Sequence, residues 1–82
     1  MNDINSIVDF KKYGKIKIKL SEIMDKNGIT RNKMCKLTGV KYDIVNRYYK
    51  AENIERIDLD FFARVCFVLN CDISEVLEYI KE

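Results

Sequence analysis

The sequence predicts an all-α fold in which five short helices share one core. The chain has 82 residues, which suits a single domain of modest size. It contains no proline and only three glycines, and its apolar residues recur at spacings of three and four, as they do on amphipathic helices. The composition is 48% apolar and 34% charged, a balance typical of a globular chain rather than a disordered one.

Residues 1–17 are predicted to form an N-terminal arm, and residues 18–82 the helical domain. The first part of the arm can form a short helix that opens near Asn2 or Asp3, although a partly ordered segment is equally compatible with it. Its apolar side consists of Ile4, Ile7, Val8 and Phe10. In the GKIKIKL segment that follows, isoleucine alternates with lysine, which predicts a brief strand. Because an isolated strand is unstable, this one needs a partner from elsewhere in the chain or from a second copy.

The first helix of the domain is predicted over residues 18–27. Asn27 and Gly28 close it, because both residue types tolerate a left-handed backbone. Ile29 then leads into Thr30, which can cap the next helix by accepting a backbone hydrogen bond. The inward side of the first helix is apolar at Leu20, Ile23 and Met24.

Two further helices are predicted over residues 31–38 and 41–50. Gly39 stands between them, where the first must end in a left-handed residue that costs glycine little. Lys41 is a poor cap for the second helix because its side chain cannot accept from backbone amides. Asp43 can compensate by placing a carboxylate in the first turn.

The spacing around Gly39 is typical of a helix-turn-helix. Cys35, a small residue four positions earlier, lets the two helices cross closely, and Val45 and Tyr48, six and nine positions later, face back into the crossing. In this motif the second helix can enter the major groove of DNA. Residues 41–50 are therefore the predicted recognition helix.

The fourth helix is predicted to open at Asp58 and to place Leu59, Phe62, Cys66 and Leu69 in the core. A helical wheel puts Phe67 almost opposite that stripe, with Phe61 and Val68 on its shoulder, so these three residues form a patch that should be covered, either by the apolar side of residues 4–10 or by a second subunit. Ser74 is the predicted cap of a fifth helix over residues 75–80. The packed side of that helix consists of Val76, Leu77 and Ile80.

Positive charge is concentrated in the segment that contains the motif. Residues 11–50 hold twelve Lys and Arg against three acidic residues, whereas residues 51–82 hold three against eight. A basic segment around a helix-turn-helix is the pattern expected of a surface that binds phosphate.

The residue types exclude several classes of function. With no histidine, no CxxC pair and no glycine-rich phosphate loop, we expect no metal site, no cofactor and no enzyme active site. The cysteines, Cys35, Cys66 and Cys71, are interpreted as small apolar residues in a reducing compartment. No apolar run approaches the roughly 20 residues that a membrane span needs, and no signal peptide is recognisable. We therefore expect a cytoplasmic protein without membrane contact.

About three quarters of the chain resembles the Cro/repressor-type helix-turn-helix regulators, the xenobiotic-response-element group. NGITRNKMCKLTGV is similar to their second helix and turn, VKYDIVNRYYKA to their recognition helix, and IDLDFFARVCFVLNCDISEVLEYI to the last two helices of a compact bacterial subgroup. The resemblance implies a five-helix, lambda-repressor-like DNA-binding fold. The chain departs from the family at Arg31, where glutamine is common, at Lys41, where serine or threonine is usual, and at Tyr49, Lys50, Phe61 and Phe67.

The wheel and the resemblance together predict a DNA-contacting set. Arg47 can pair with guanine, Asn46 with adenine and Asp43 with cytosine, and Tyr42 can contact a thymine methyl group. Asp43 can instead serve only the helix dipole, and Tyr42 can lie on the surface of the fold. Contacts to phosphate, which position the domain without reading sequence, are expected from Arg31, Asn32, Lys33, Lys36, Lys41 and Lys50.

Double-stranded DNA is thus the expected partner, and the expected function is that of a small transcriptional regulator, a repressor. One such domain buries little surface on DNA, so a homodimer is expected at least on DNA, through either GKIKIKL or the Phe61 and Phe67 surface. No small-molecule effector is evident. The alternative is a protein-interaction module on the same fold, such as an antitoxin, an antirepressor or a polymerase-binding factor.

Overall fold

The computed structural model describes residues 13–82. In chain order its elements are β1 (Lys15–Ile18), α1 (Leu20–Lys26), α2 (Arg31–Thr38), α3 (Tyr42–Lys50), α4 (Leu59–Leu69) and β2 (Leu77–Ile80), with a 3₁₀ turn at Ile73–Glu75 before β2. The helix predicted for the first part of the arm lies outside the described residues.

One apolar core joins the four helices to the sheet. The inward side predicted for α1 is confirmed, since Leu20, Ile23 and Met24 are all buried. The inward side of the predicted recognition helix is confirmed as well, because Val45 and Tyr48 are buried. The remaining core side chains are those of Met34, Phe61, Phe62, Val65 and Val76.

The predicted strand is confirmed, and its partner comes from the other end of the chain. β1 pairs antiparallel with β2, so that Lys15 lies opposite Ile80 and Ile18 opposite Leu77. One further bond, from the Lys19 amide to the Val76 carbonyl oxygen at 2.7 Å, joins the sheet to the start of α1. The first helix therefore begins at Leu20 rather than at Ile18, because Ile18 belongs to the strand.

The prediction of a fifth helix over residues 75–80 is wrong, and the all-α assignment is confirmed only in part, because residues 13–82 form four α-helices and a two-stranded sheet. After the 3₁₀ turn the chain extends as β2. The turn is capped by Asp72 rather than by Ser74, in a capping box where the Asp72 amide donates to Glu75 Oε2 at 3.0 Å. The apolar spacing of Val76, Leu77 and Ile80 fits a helix, but pairing with β1 satisfies the backbone groups of both strands and outweighs that weak local preference.

Gly14 permits the ends of the two strands to approach each other. A Cβ atom at this position would collide with the Ile80 carbonyl oxygen. The Gly14 amide also donates to the Tyr79 hydroxyl at 2.9 Å. The glycine is therefore required for the backbone to pass this close to the end of β2.

The core side of α4 is rotated relative to the prediction. Phe61 is 1% exposed and Leu59 is 75% exposed, the reverse of the predicted assignment, while Phe62 is buried as predicted. The wheel is ambiguous because only Asp60 and Arg64 among the eleven residues of α4 are polar. The prediction that Phe67 lies away from the core is confirmed, since it is 86% exposed.

Candidate nucleic-acid interface

The helix α2 is capped at both of its ends. Thr30 caps α2 as predicted, since its side chain accepts from the Lys33 amide at 3.1 Å. Gly39 is left-handed, with φ 78°, and its amide donates to the Cys35 carbonyl oxygen at 2.8 Å. This geometry ends α2 within one residue and directs the chain into α3.

A side chain of α4 braces the turn between α2 and α3. Arg64 Nη1 donates to the Thr38 carbonyl oxygen at 2.8 Å, and Arg64 Nε donates to Asp60 Oδ2 at 2.9 Å. The Thr38 hydroxyl is buried and donates to the Met34 carbonyl oxygen at 2.7 Å. The Thr38 carbonyl group, the last of α2, is therefore satisfied by a side chain of α4.

α3 is fixed in rotation by the aromatic core. The Tyr48 ring is stacked on Phe61, with centroids 5.1 Å apart, and meets Phe62 edge to face at 5.1 Å. Its hydroxyl accepts from the Asp58 amide at 2.9 Å. As predicted, Lys41 makes no side-chain cap bond at the start of α3. The burial of Tyr48 and Val45 leaves the opposite side of α3 exposed.

Three of the four residues predicted to read bases lie on that exposed side of α3. Tyr42 is 42% exposed, and Asp43 and Arg47 are exposed. The Arg47 guanidinium also lies over the Tyr48 ring, 5.2 Å from its centroid. Asn46, the fourth, is less exposed than these three: it is half-buried, and its side chain accepts a hydrogen bond from Arg31.

Asn46 is brought together with Arg31, a residue predicted to contact phosphate. Arg31 Nη1 donates to Asn46 Oδ1 at 2.6 Å. The same guanidinium lies over the Tyr49 ring, 4.6 Å from its centroid, and the Tyr49 hydroxyl donates to Asp25 Oδ1 at 2.9 Å. This hydrogen bond to Asp25 raises the pKa of Tyr49, and the Arg31 charge opposes the rise, so the hydroxyl is protonated near neutral pH.

The other residues predicted to bind phosphate are exposed around the two helices. None of them, nor Arg31, forms an ion pair with a carboxylate of residues 13–82, so the positive charges of the four lysines and of Arg31 are not neutralised within that part of the chain. They are Asn32, Lys33 and Lys36 on α2, Lys41 before α3 and Lys50 at its end.

A family model of the Cro/C1-type HTH DNA-binding domain matches residues 19–82. The chain belongs to this family. Its match covers every element described above except β1. The family is one of DNA-binding domains and not of enzymes, so this chain is a DNA-binding protein. No curated protein matches it significantly.

The structure of this Cro/C1-type domain adds no sign of a metal site or of membrane insertion in the part of the chain that it describes. Residues 13–82 contain no group of three or more potential metal ligands placed to hold an ion. No helix within them is long and apolar enough to cross a membrane. The three cysteines are free thiols and are half-buried.

Sequence reasoning missed two structural residues of the Cro/C1-type motif. Arg64 braces the turn, and its spacing of four from Asp60 is a recognisable helical ion-pair pattern. Tyr49 supports Arg31, but only its departure from the family pattern singled it out, because Asp25, Arg31 and Tyr49 lie on three different helices or their ends. No local pattern in the sequence reports such a contact.

Proposed function

We propose that the chain binds double-stranded DNA sequence-specifically as a transcriptional repressor, with α3 in the major groove. The observation that supports this most is the orientation of α3. Val45 and Tyr48 are buried, so the opposite side of the helix is free to meet base edges. Repression is the simplest mode of regulation for such a domain, because occupancy of the operator is sufficient to block a competing protein.

The proposed base readout uses the exposed side of α3. Arg47 pairs through two donors with guanine, which is the commonest specific contact in the major groove. Asp43 accepts from cytosine, and its charge repels misplaced phosphate. Tyr42 packs on a thymine methyl group. Asn46 reads a neighbouring base through its amide.

The proposed phosphate contacts surround this readout. The side chains of α2 and of both ends of α3 bind the two strands beside the groove and set the register of α3 without reading sequence. The set comprises Arg31, Asn32, Lys33, Lys36, Lys41 and Lys50. The uncompensated charges of its arginine and four lysines also speed association with DNA.

We propose that the protein binds DNA as a homodimer through the face of α4 around Phe67. The alternative surfaces are less available, because Phe61 is buried and β1 already pairs with β2. Phe67 lines a shallow groove together with Leu37 and Val68. Burial of a phenylalanine this exposed would contribute about 1.5–3 kcal/mol to association.

In vitro selection from a random duplex library tests the function directly. We expect one enriched sequence with two related half-sites, a stoichiometry of two chains per duplex, and affinity that falls steeply with salt through counterion release. Failure to bind any duplex at low salt, or binding that does not respond to salt, would contradict the proposal.

The exposed Phe67 also supports a second candidate, a domain that docks a partner protein. The same selection distinguishes the two, since a protein-docking module would enrich no duplex. A substitution of Phe67 would then abolish partner binding without changing any property measured with DNA.

A further inference from the structure

We infer that Arg31 and Asn46 form one recognition unit in which Arg31 fixes the orientation of the Asn46 amide, and that Tyr49 is the positioning residue that holds Arg31 in place. This inference rests on the proposed function. It assigns a role to Tyr49 and to the contact between Arg31 and Asn46.

The contact with Arg31 fixes the orientation of the Asn46 amide. Every polar hydrogen-bonding group of an arginine side chain is a donor. The amide atom that faces Arg31 Nη1 at 2.6 Å is therefore the Asn46 oxygen. The Nδ2 group, with its two hydrogens, is left to point elsewhere.

The fixed orientation of the amide bears on how Asn46 reads a base. A bidentate pair with adenine requires the asparagine oxygen to accept from adenine N6 while its nitrogen donates to N7. An amide oxygen has two lone pairs, so the Asn46 oxygen can accept from adenine N6 while it accepts from Arg31. The contact with Arg31 also opposes a flip of the amide, which would exchange the acceptor and the donors that a base meets.

Arg31 is itself held in place by Tyr49. Its guanidinium lies 4.6 Å from the Tyr49 ring centroid, and the Tyr49 hydroxyl is anchored to Asp25 Oδ1 at 2.9 Å. Asp25 thus fixes the ring at the end of α1, and the ring fixes the guanidinium between α2 and α3.

The positive charge of Arg31 remains available to a DNA phosphate despite these contacts. Its two partners are a neutral amide and a ring face, and no ion pair joins it to an acid of residues 13–82. Arg31 also lines an open cleft of about 410 Å³ beside Thr30 and Tyr49. A phosphate oxygen can enter there and accept from the N–H groups that Asn46 does not use.

The test is a double-mutant cycle with Arg31→Ala, Asn46→Ala and the double variant on the duplex selected by the wild type. We expect coupling, with Arg31→Ala weakening binding at least about threefold more when Asn46 is present. We also expect Arg31→Ala to relax the preference at the Asn46-contacted base pair, because the amide is then no longer held in one orientation. A purely structural role of Arg31 would not move this preference.

Two substitutions of Tyr49, one more drastic than the other, test its role. Tyr49→Leu removes the ring face and should weaken cognate binding about two- to fivefold, with the same relaxation of base preference. Tyr49→Phe keeps the ring and should lose less. Lys36→Ala is the control, since it removes an exposed charge of α2 outside this unit and should lower affinity without altering base preference.

A measurement on free protein shows whether the unit exists before DNA is added. The NMR resonances of the Asn46 side-chain amide should shift in Arg31→Ala and in Tyr49→Leu but not in Lys36→Ala. Additive energies in the cycle together with unchanged base preference, in a wild type that binds its operator, would overturn this inference alone. A wild type that binds no duplex would overturn the proposed function and this inference with it.

Discussion

Tyr48 connects the hydrophobic core to the exposed side of α3. Its ring is 2% exposed and packs on Phe61 and Phe62. The Arg47 guanidinium lies over the same ring, so a buried contact and an exposed one share a residue. The rotation of α3, and with it the direction of Arg47, therefore follows from core packing.

Arg47→Ala should lower affinity for the selected duplex by about 1–3 kcal/mol and relax the preference at one base pair, because a bidentate guanine contact is lost. Fluorescence anisotropy with the cognate duplex and with single-base variants measures both effects. The comparison variant is Lys36→Ala, which should weaken cognate and random duplexes alike. A loss of equal size on random DNA for Arg47→Ala would assign Arg47 to phosphate.

Cys71 gives stability a dependence on alkaline pH. Burial raises the pKa of its thiol from 9.0 to about 11, and Cys66 adds to the rise. The folded state therefore holds the thiol proton more tightly than the unfolded state. The contribution of this proton to the free energy of unfolding is complete below pH 9 and is lost as the pH rises from 9 to 11.

Cys71→Ala should therefore reduce the loss of stability between pH 9 and 11. The free energy of unfolding in urea, measured under reducing conditions at pH 7, 9 and 10.5, provides the comparison with wild type. Cys35→Ala serves as the matched control and should keep the wild-type slope. Parallel slopes for wild type and Cys71→Ala would contradict the assignment.

The turn at Gly39 is the element on which the motif depends. The left-handed backbone there ends α2, and Arg64 braces the preceding residue from α4. A Cβ at Gly39 would lie 3.6 Å from Arg64 Nη1, an ordinary contact distance. The position thus selects glycine for its backbone conformation and not for lack of space.

Gly39→Ala should lower the free energy of unfolding by about 1–2 kcal/mol, the cost of a left-handed alanine. Gly39→Asn should cost less although asparagine is larger, because its side chain is better tolerated in that conformation. Urea denaturation measures both. If Asn proved the more damaging, crowding rather than backbone strain would be the cause.

At the scale of the molecule, two strands close the described part of the fold and α4 carries an exposed apolar face. β1 and β2 pair beside α1. On α4, Phe67 is 86% exposed and Leu59 is 75% exposed. Phe67 lines a groove with Leu37 and Thr38 of α2, which makes it the specific candidate for the subunit contact.

Phe67→Ser should weaken dimer formation on DNA by about tenfold or more, since most of the ring is available for burial only in a partner interface. The fold of the monomer should be unaffected. Analytical ultracentrifugation with a two-half-site duplex gives the stoichiometry, and Leu59→Ser on the same helix is the control. Two chains per duplex in Phe67→Ser at wild-type concentrations would place the interface elsewhere.

The sequence by itself determined the helix-turn-helix and most of its exposed side. Thr30 as a cap, Gly39 as a left-handed stop, and Val45 and Tyr48 as inward residues depend on backbone rules that operate within a few residues. The same rules allowed the outward set on α3 to be proposed. For this reason the motif is predictable from the amino-acid order alone.

Only the tertiary structure decided three features. β2 replaces the predicted fifth helix because β1, near the other end of the chain, offers it a backbone partner. The core side of α4 depends on Tyr48, since a helix that is apolar almost all round has no preferred side of its own. The Arg31 and Asn46 contact joins two helices. Each of these features depends on a contact between segments that are distant in the sequence. Local helix and strand propensities do not distinguish between such contacts.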